Sequence, residues 1–365
     1  MIQDPMREGQ MDAWSKTLAT MQADCRVMPE IYRPSKFWER LNALNESWLD
    51  AEGVAHFKRT VNNNYFNWAV SLRSDYFQRV LRYSLRTLLS NPASTAQALL
   101  TDFRAISLKT YVDEHVTLSG ANLALYRLYV LGLAVFVEKQ DTLGLFSSIE
   151  EPTYGDPITV KFKGRNISQD ICNSYLEYLF VSKTLQWKPN QRRLTIIELG
   201  AGYGRFVHML FMLGQRGQGR PKLIVVDIPP ALAISQWYLS LTCSDAVLFE
   251  YRDFSRFETV QTEFEAADIC FLLPHQLELL PDKTADVFVN ISSLQEMSFK
   301  QINRYYELID RLALAFYTKQ WLFWTNPEDQ QVVPAVMYPT RPHWTLLAGR
   351  RHPIHNEFFE AVFRL

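Results

Sequence analysis

The sequence predicts an α/β protein, a doubly wound and mainly parallel sheet in its second half preceded by an all-helical domain. Three observations carry this. Residues 196–206, Ile-Ile-Glu-Leu-Gly-Ala-Gly-Tyr-Gly-Arg-Phe, run from an apolar stretch through three alternating glycines into helix-forming residues. Lys222-Leu-Ile-Val-Val-Asp227 is a short β-branched run ending in an acid, as expected of a strand buried on both faces. From about residue 36 to 143 the apolar period is helical instead. The chain divides accordingly into a helical domain over 1–150, a lid or substrate domain, and an α/β domain over 151–365.

In the first domain the helical spacing is visible in Phe37, Leu41, Leu44 and Trp48, in Phe77, Val80, Leu81 and Leu85, and in Leu123, Leu125, Leu128 and Leu131. Asn91-Pro92 and Ser119-Gly120 break it. Its many aromatics, Trp38, Trp48, Tyr65, Phe66 and Trp68, read as core rather than as a substrate surface. The apolar stretch from Leu128 to Val137 is about half what a bilayer span needs, so it predicts a buried helix and no membrane span. Pro152, Gly155 and Pro157 mark a junction. A hairpin follows, Ile158 to Phe162, a Lys163-Gly164 turn and Arg165-Asn-Ile, after which Ser168 can cap a helix from Gln169. Gln169, Asp170, Asn173 and Glu177 fall on adjoining faces of that helix, and both a ligand-facing and a capping or solvated role stay open for them.

The first sheet strand ends in the glycines. Gly200, Gly202 and Gly204 permit a tight turn and bring main-chain N–H groups against a ligand, with a helix starting at about Gly204. A dinucleotide loop, G-x-G-x-x-G, would need its third small residue at Arg205, which argues against NAD. Glu198 would sit badly beside a pyrophosphate and suits a ligand carrying an ammonium. Asp227, at the carboxyl end of the second strand, is placed to accept hydrogen bonds from ribose hydroxyls. Gly214 to Gly219 reads as a linker, and Pro229-Pro230 opens a helix through about Leu241. A third strand, Asp268 to His275, and a fourth, Ala285 to Met297, follow. The fourth ends in the polar cluster Asn290, Ser292, Gln295 and Glu296, beside the expected switch point of the sheet. Ser298 caps an amphipathic helix with Phe299, Ile302, Tyr306, Ile309 and Phe316 on one side. Tyr317 to Trp324 reads as a fifth strand, with Trp344 to Ala348 and Phe358 to Phe363 as a closing antiparallel pair.

Composition narrows the function classes. The 365 residues include 38 Lys and Arg against 39 Asp and Glu, a net charge of −1 that points to no nucleic acid. The N-terminus lacks a basic n-region and an apolar h-region, so a cytoplasmic location is expected. Cys25, Cys172, Cys243 and Cys270 are scattered, which disfavours disulfides and a zinc cluster. His352-Pro-Ile-His355 reads as a loop rather than a metal site, since proline disfavours a helical ligand pair.

The pattern E-x-G-x-G-x-G from Glu198 to Gly204 resembles the first motif of class I S-adenosylmethionine (SAM) dependent methyltransferases, whose Rossmann-like sheet has the same order of elements. The series ISQDICNSYLEY, IIELGAGYGRF, VVDIPPALAISQWYL, FLLPHQLELL and FVNISSLQEM is similar, more narrowly, to sugar O-methyltransferases of bacterial polysaccharide and glycoside gene clusters, over roughly 155–365. The resemblance implies S-adenosyl-L-methionine as cofactor, held by Glu198, Gly200, Ala201, Gly202, Gly204, Asp227, Ile228 and Asn290. It also implies a hydroxyl acceptor on a sugar or glycoside, whether small molecule or glycan. A positioned base would help a protonated hydroxyl attack. Glu296 is the first candidate and His275 the second, although the end of the third strand is where adenine is normally contacted. The competing readings are an NAD-linked oxidoreductase with a variant loop and a non-catalytic SAM-binding protein.

Overall fold

The computed structural model describes residues 8–61, 92, 95–96, 105–109, 116–187, 193–215 and 219–365. The expected helix around Phe77, Val80, Leu81 and Leu85, the aromatics Tyr65, Phe66 and Trp68, and the middle of the 214–219 linker lie outside them. Two helices open the described chain, α1 (Glu8–Val27) and α2 (Lys36–Glu52). The chain forms two compact units, one from Leu44–Phe180 and the other from the residues up to Ala43 together with Val181–Leu365. Residue 150, where the sequence reading divides the chain, falls within the first of these units. The Pro152–Pro157 stretch, read as a junction, lies within the first unit, with Gly155 buried there. Gly155 has φ +81° there, and a Cβ on it would strike the Phe57 ring at 2.3 Å. The buried Lys58–Glu151 ion pair ties the same two segments together.

The first unit holds a short antiparallel pair, β1 (Ile106–Leu108) and β2 (Val116–Leu118), then α3 (Gly120–Gln140). The strand pair was not expected from the helical period. Helix α3 is long and apolar enough to cross a membrane by length and composition, and Leu123, Tyr126, Val130, Leu133 and Val137 on it are buried within the unit. The predicted hairpin is present as β3 (Val160–Phe162) and β4 (Arg165–Ile167), turning at Lys163 and Gly164, both of positive φ. Helix α4 (Gln169–Thr184) follows, and Ser168 Oγ accepts from Ile171 N at 3.1 Å as a cap should.

The second unit is organised by an eight-stranded sheet. Its strands are β5 (Thr195–Leu199), β6 (Lys222–Val226), β7 (Leu248–Phe249), β8 (Ile269–Leu272), β9 (Ala285–Ile291), β10 (Ala313–Trp321), β13 (Thr345–Arg351) and β14 (Phe358–Arg364). A separate hairpin, β11 (Phe323–Thr325) with β12 (Val332–Pro334), lies between the last two groups in sequence. The spatial order is β13-β14-β10-β9-β5-β6-β8-β7. Setting aside the two-residue edge strand β7, the strands counted along the chain stand in the order 3-2-1-4-5-7-6, and only β14 runs antiparallel to its neighbours. Helices α5 (Arg205–Leu213), α6 (Ala231–Thr242), α7 (Gln261–Ala266) and α8 (Phe299–Leu312) connect the parallel strands.

Chain order reverses between β5 and β9, so their carboxyl ends flank the crevice where open α/β sheets bind ligands. The central strands justify their apolar runs: Ile197, Ile224, Val225, Val226, Cys270 and Phe288 are wholly buried. Helix α8 begins with a complete capping box between Ser298 and Gln301. One expected boundary moves. Phe316, placed on that helix by its spacing, lies in β10, because the helix passes into the strand at Ala313 without a loop. Phe316 still packs on Tyr306, ring centroids 5.7 Å apart, so the apolar contact is kept while the element changes.

Candidate active site

The turn after β5 is built by three glycines of positive φ, and each is required for a different reason. At Gly200 a Cβ would lie 2.2 Å from Ser293 Oγ, so the position is closed by the β9 loop. At Gly204, the N-cap of α5, it would meet Leu239 at 2.8 Å. At Gly202 it would meet nothing within 4 Å, so that glycine faces open space. The loop is tied to the next strand by Gly200 N donating to Val226 O at 2.8 Å and Gly202 N donating to Asp227 Oδ2 at 2.7 Å. Ala201 lies buried between them.

Asp227 stands just beyond β6, as expected, and its Oδ1 also accepts from Ile228 N at 2.7 Å. Although the residue keeps some surface, its carboxyl is poor in water, and desolvation raises its pKa from 3.8 to about 7 against those two backbone donors. A group donating hydroxyl hydrogens to it would favour the ionised form. Glu198 is buried at the end of β5, level with Val225 of β6 and Val289 of β9.

Glu296 lies in the short 3-10 turn Leu294–Glu296 that follows β9 and precedes α8. The N-terminus of α8 is served by Ser298 and Gln301, so Glu296 is not its cap. Its carboxyl turns instead to Trp38, whose Nε1 donates to Oε2 at 3.2 Å. Burial raises its pKa from 4.5 to about 8; the Trp38 and Gln295 side chains oppose this, and the nearby charge of Asp227 adds to it. Two carboxyl groups thus face the carboxyl ends of β6 and β9, both readily protonated near neutrality.

The polar residues around Glu296 divide by role. Asn290 Nδ2 donates to Leu199 O at 2.8 Å and to Ser293 Oγ at 2.6 Å, while its Oδ1 accepts from Leu294 N and from Gln320 Nε2. With no exposed surface and both ends of the amide engaged, Asn290 braces the glycine loop against the β9 turn. Gln295 Nε2 donates to Ser292 Oγ at 2.9 Å, and Ser292 itself takes φ 56° to make the turn.

His275 follows β8 in a 3-10 segment, 3.8 Å from Asp253. Burial lowers its pKa, and its Nδ1 is buried without a hydrogen-bond partner. In the sheet β8 is separated from β9 by β6 and β5, three strand spacings or roughly 14 Å. The structure therefore does not bring His275 and Glu296 together, and the histidine stands on the Asp227 side. Gln169, Asp170, Asn173 and Glu177 of α4, for which the sequence left two roles open, are all buried. His352 and His355 lie between β13 and β14, and among the described residues no His, Cys, Asp or Glu cluster could hold a metal.

Sequence reasoning missed Ser35 and Trp38. Trp38 was counted with the core aromatics, and nothing local marks a contact across 258 residues of chain. Ser293, Gln320 and Tyr338 were likewise visible only once the strands were placed.

The strand order 3-2-1-4-5-7-6 with a single antiparallel strand, a glycine turn after the first strand and an acid after the second define the class: the chain has the fold of the class I SAM-dependent methyltransferases. No family model and no curated protein matches the sequence. Among solved structures it is similar to the PH0226 protein of Pyrococcus horikoshii, at 16% identity over 52% of this chain and 90% of that one, with TM-score 0.33. It is similar to a SAM-dependent methyltransferase of Leishmania major, at 10% identity over 52% and 72% of the two chains, TM-score 0.36. A third such structure is a SAM-dependent methyltransferase of Mesorhizobium loti, at 12% identity over 50% and 96%, TM-score 0.32. The fold rests on the strand order rather than on these scores.

Proposed function

We propose that the protein is a SAM-dependent O-methyltransferase acting on a hydroxyl of a sugar or glycoside. The observation that carries the reading is the 3-2-1-4-5-7-6 sheet, with the open Gly202 in the turn after β5 and the buried Glu296 in the turn after β9, the two strands between which chain order reverses. The glycine turn would hold the cofactor against main-chain N–H groups, Asp227 would accept from ribose hydroxyls, and Glu198 would offset the ammonium. Bound SAM supplies an electrophilic methyl group on a sulfonium.

The work left to the chain is alignment, exclusion of water and proton removal. Glu296, where ionised, accepts the acceptor hydroxyl's proton while the acceptor oxygen forms its bond to the methyl carbon. The carbon–sulfur bond breaks in the same step, and its electron pair stays on sulfur. A carboxylate with pKa about 8 is a stronger base than an ordinary glutamate, which suits a weakly acidic hydroxyl. An enzyme without a nucleic-acid partner fits the charge balance, and the sugar acceptor follows the motif resemblance in 155–365.

The test is direct. Calorimetry is expected to show SAM binding at micromolar strength, and purified protein with SAM is expected to methylate mono- and oligosaccharide acceptors, with Glu296→Gln lowering transfer at least 100-fold while SAM affinity changes little. NAD binding without SAM binding would favour the oxidoreductase; SAM binding with no transfer to any glycan fraction would favour a non-catalytic protein.

A further inference from the structure

The N-terminal segment that folds with the sheet unit sends two side chains to Glu296. Ser35, immediately before α2, donates its hydroxyl to Glu296 O at 2.8 Å. Trp38, three residues further on, donates its indole N–H to Glu296 Oε2 at 3.2 Å. The same Ser35 Oγ accepts from Trp38 N at 3.5 Å, so one helix start fixes both the backbone of the glutamate and its carboxyl. Edge-to-face packing on Phe37, at 5.7 Å, and of Phe37 on Trp324, at 6.1 Å, explains why the indole lies where it does. It does not explain the direction of the N–H. Packing alone would be satisfied with that group in water, whereas here it serves the buried Glu296 carboxyl.

We propose that Trp38 is a positioning residue for Glu296: its N–H holds Oε2 and favours the carboxylate, leaving Oε1 as the oxygen that receives the acceptor's proton. This rests on the methyltransferase reading for its consequence in catalysis, though not for the pairing itself. The groups facing the Glu296 carboxyl are neutral or acidic. Among the described residues the Gln295 side chain bonds to it, the charge of Asp227 beyond β6 acts on it, and Tyr338, in the turn after β12 and held neutral by burial, lies close enough to feel its charge. Against the repulsion of Asp227 and the cost of desolvation, neutral donors are what favour the ionised state. Trp38 is thus the means by which a residue outside the α/β fold sets the ionisation of a residue within it.

The experiment uses the full chain and the Trp38→Phe variant, with two readouts. Carbon-13 labelled glutamate carboxyls report ionisation in cofactor-free protein, Glu296 being assigned by the signal absent from Glu296→Gln. The pH dependence of methyl transfer reports catalysis. In Trp38→Phe the Glu296 midpoint is expected to rise by about one pH unit, and transfer at neutral pH to fall about tenfold and recover in alkaline buffer, with SAM affinity unchanged. A uniform loss at every pH with no shift of the midpoint overturns the proposal and leaves Trp38 a packing residue. Should Trp38→Phe fail to fold, the wild-type protein carries the test: one indole N–H resonance must titrate with the Glu296 midpoint and cease to titrate in Glu296→Gln, and the absence of such a resonance overturns the pairing. A shifted midpoint in a protein that transfers no methyl group would sink the enzymatic reading and keep the pairing.

Discussion

At the scale of single residues, the three glycines of one motif separate into two kinds. Gly200 and Gly204 are closed by Ser293 and Leu239, while Gly202 opens on the crevice. Gly200→Ala is therefore expected to damage the protein itself, through the contact with Ser293 and the strain of a side chain at φ +69°, and to lower the melting temperature clearly. Gly202→Val at φ +60° costs about 1–2 kcal/mol of backbone strain, and its Cβ meets no protein atom within 4 Å, yet it should abolish SAM binding, because its side chain occupies the space against the loop. Paired thermal melts and calorimetry on the two variants check this; equal binding loss per degree of melting temperature would show that Gly202 faces no ligand. The sequence made these glycines legible as a motif, and Glu198 and Arg205 beside them pointed away from NAD. What it could not distinguish was which glycine touches protein and which touches ligand, since that depends on Ser293 and Leu239, both distant in the chain.

At the scale of elements, the turn after β9 was legible as a place but not in its internal bonding. The polar cluster that closes an apolar run predicts Asn290 and Glu296 together at the carboxyl end of one strand, and in the structure Asn290 lies in β9 and Glu296 in the turn that follows it. Their surroundings diverge because β9 is central: Asn290 falls within the strand, where β5 and β10 engage both ends of its amide, and Glu296 falls past it, in the 3-10 turn beyond the strand. Asn290→Ala leaves Leu199 O, Ser293 and Gln320 short of partners in a buried place, so unfolding experiments should show a loss of about 2–4 kcal/mol. A loss under about 0.5 kcal/mol would mean that water enters and the brace is dispensable. The boundary between α8 and β10 was misread for a related reason: Phe316 satisfies the helical period, and only the pairing of Ala313 with Ala285 shows that the strand has already begun.

At the scale of the whole molecule, the two crevice carboxyls couple ligand binding to stability. Asp227 moves from 3.8 to about 7 and Glu296 from 4.5 to about 8 on folding, so between about pH 4 and 8 the folded chain holds protons that the unfolded chain has released. Their contribution is greatest at the acid end of that window and falls as pH rises through it. The melting temperature of ligand-free protein should accordingly decline from pH 5 to 8 relative to an Asp227→Asn, Glu296→Gln double variant, and identical slopes would show that the carboxyls are not raised. The parallel sheet behind this site was the most legible part of the chain, because β-branched runs ended by acids or glycines leave little choice of fold. The placement of residues 30–43 with that sheet was not legible, since their helical spacing is the same whichever unit they join. The strand order carries one further consequence, for biosynthesis. β14 is inserted between β10 and β13 although both precede it, so during translation β13 emerges with no partner and the long edge of β10 stays open. Until Phe358–Arg364 leaves the ribosome, the nascent chain displays an unpaired apolar strand edge of the kind that chaperones guard, and the sheet closes as a late event rather than growing outward strand by strand.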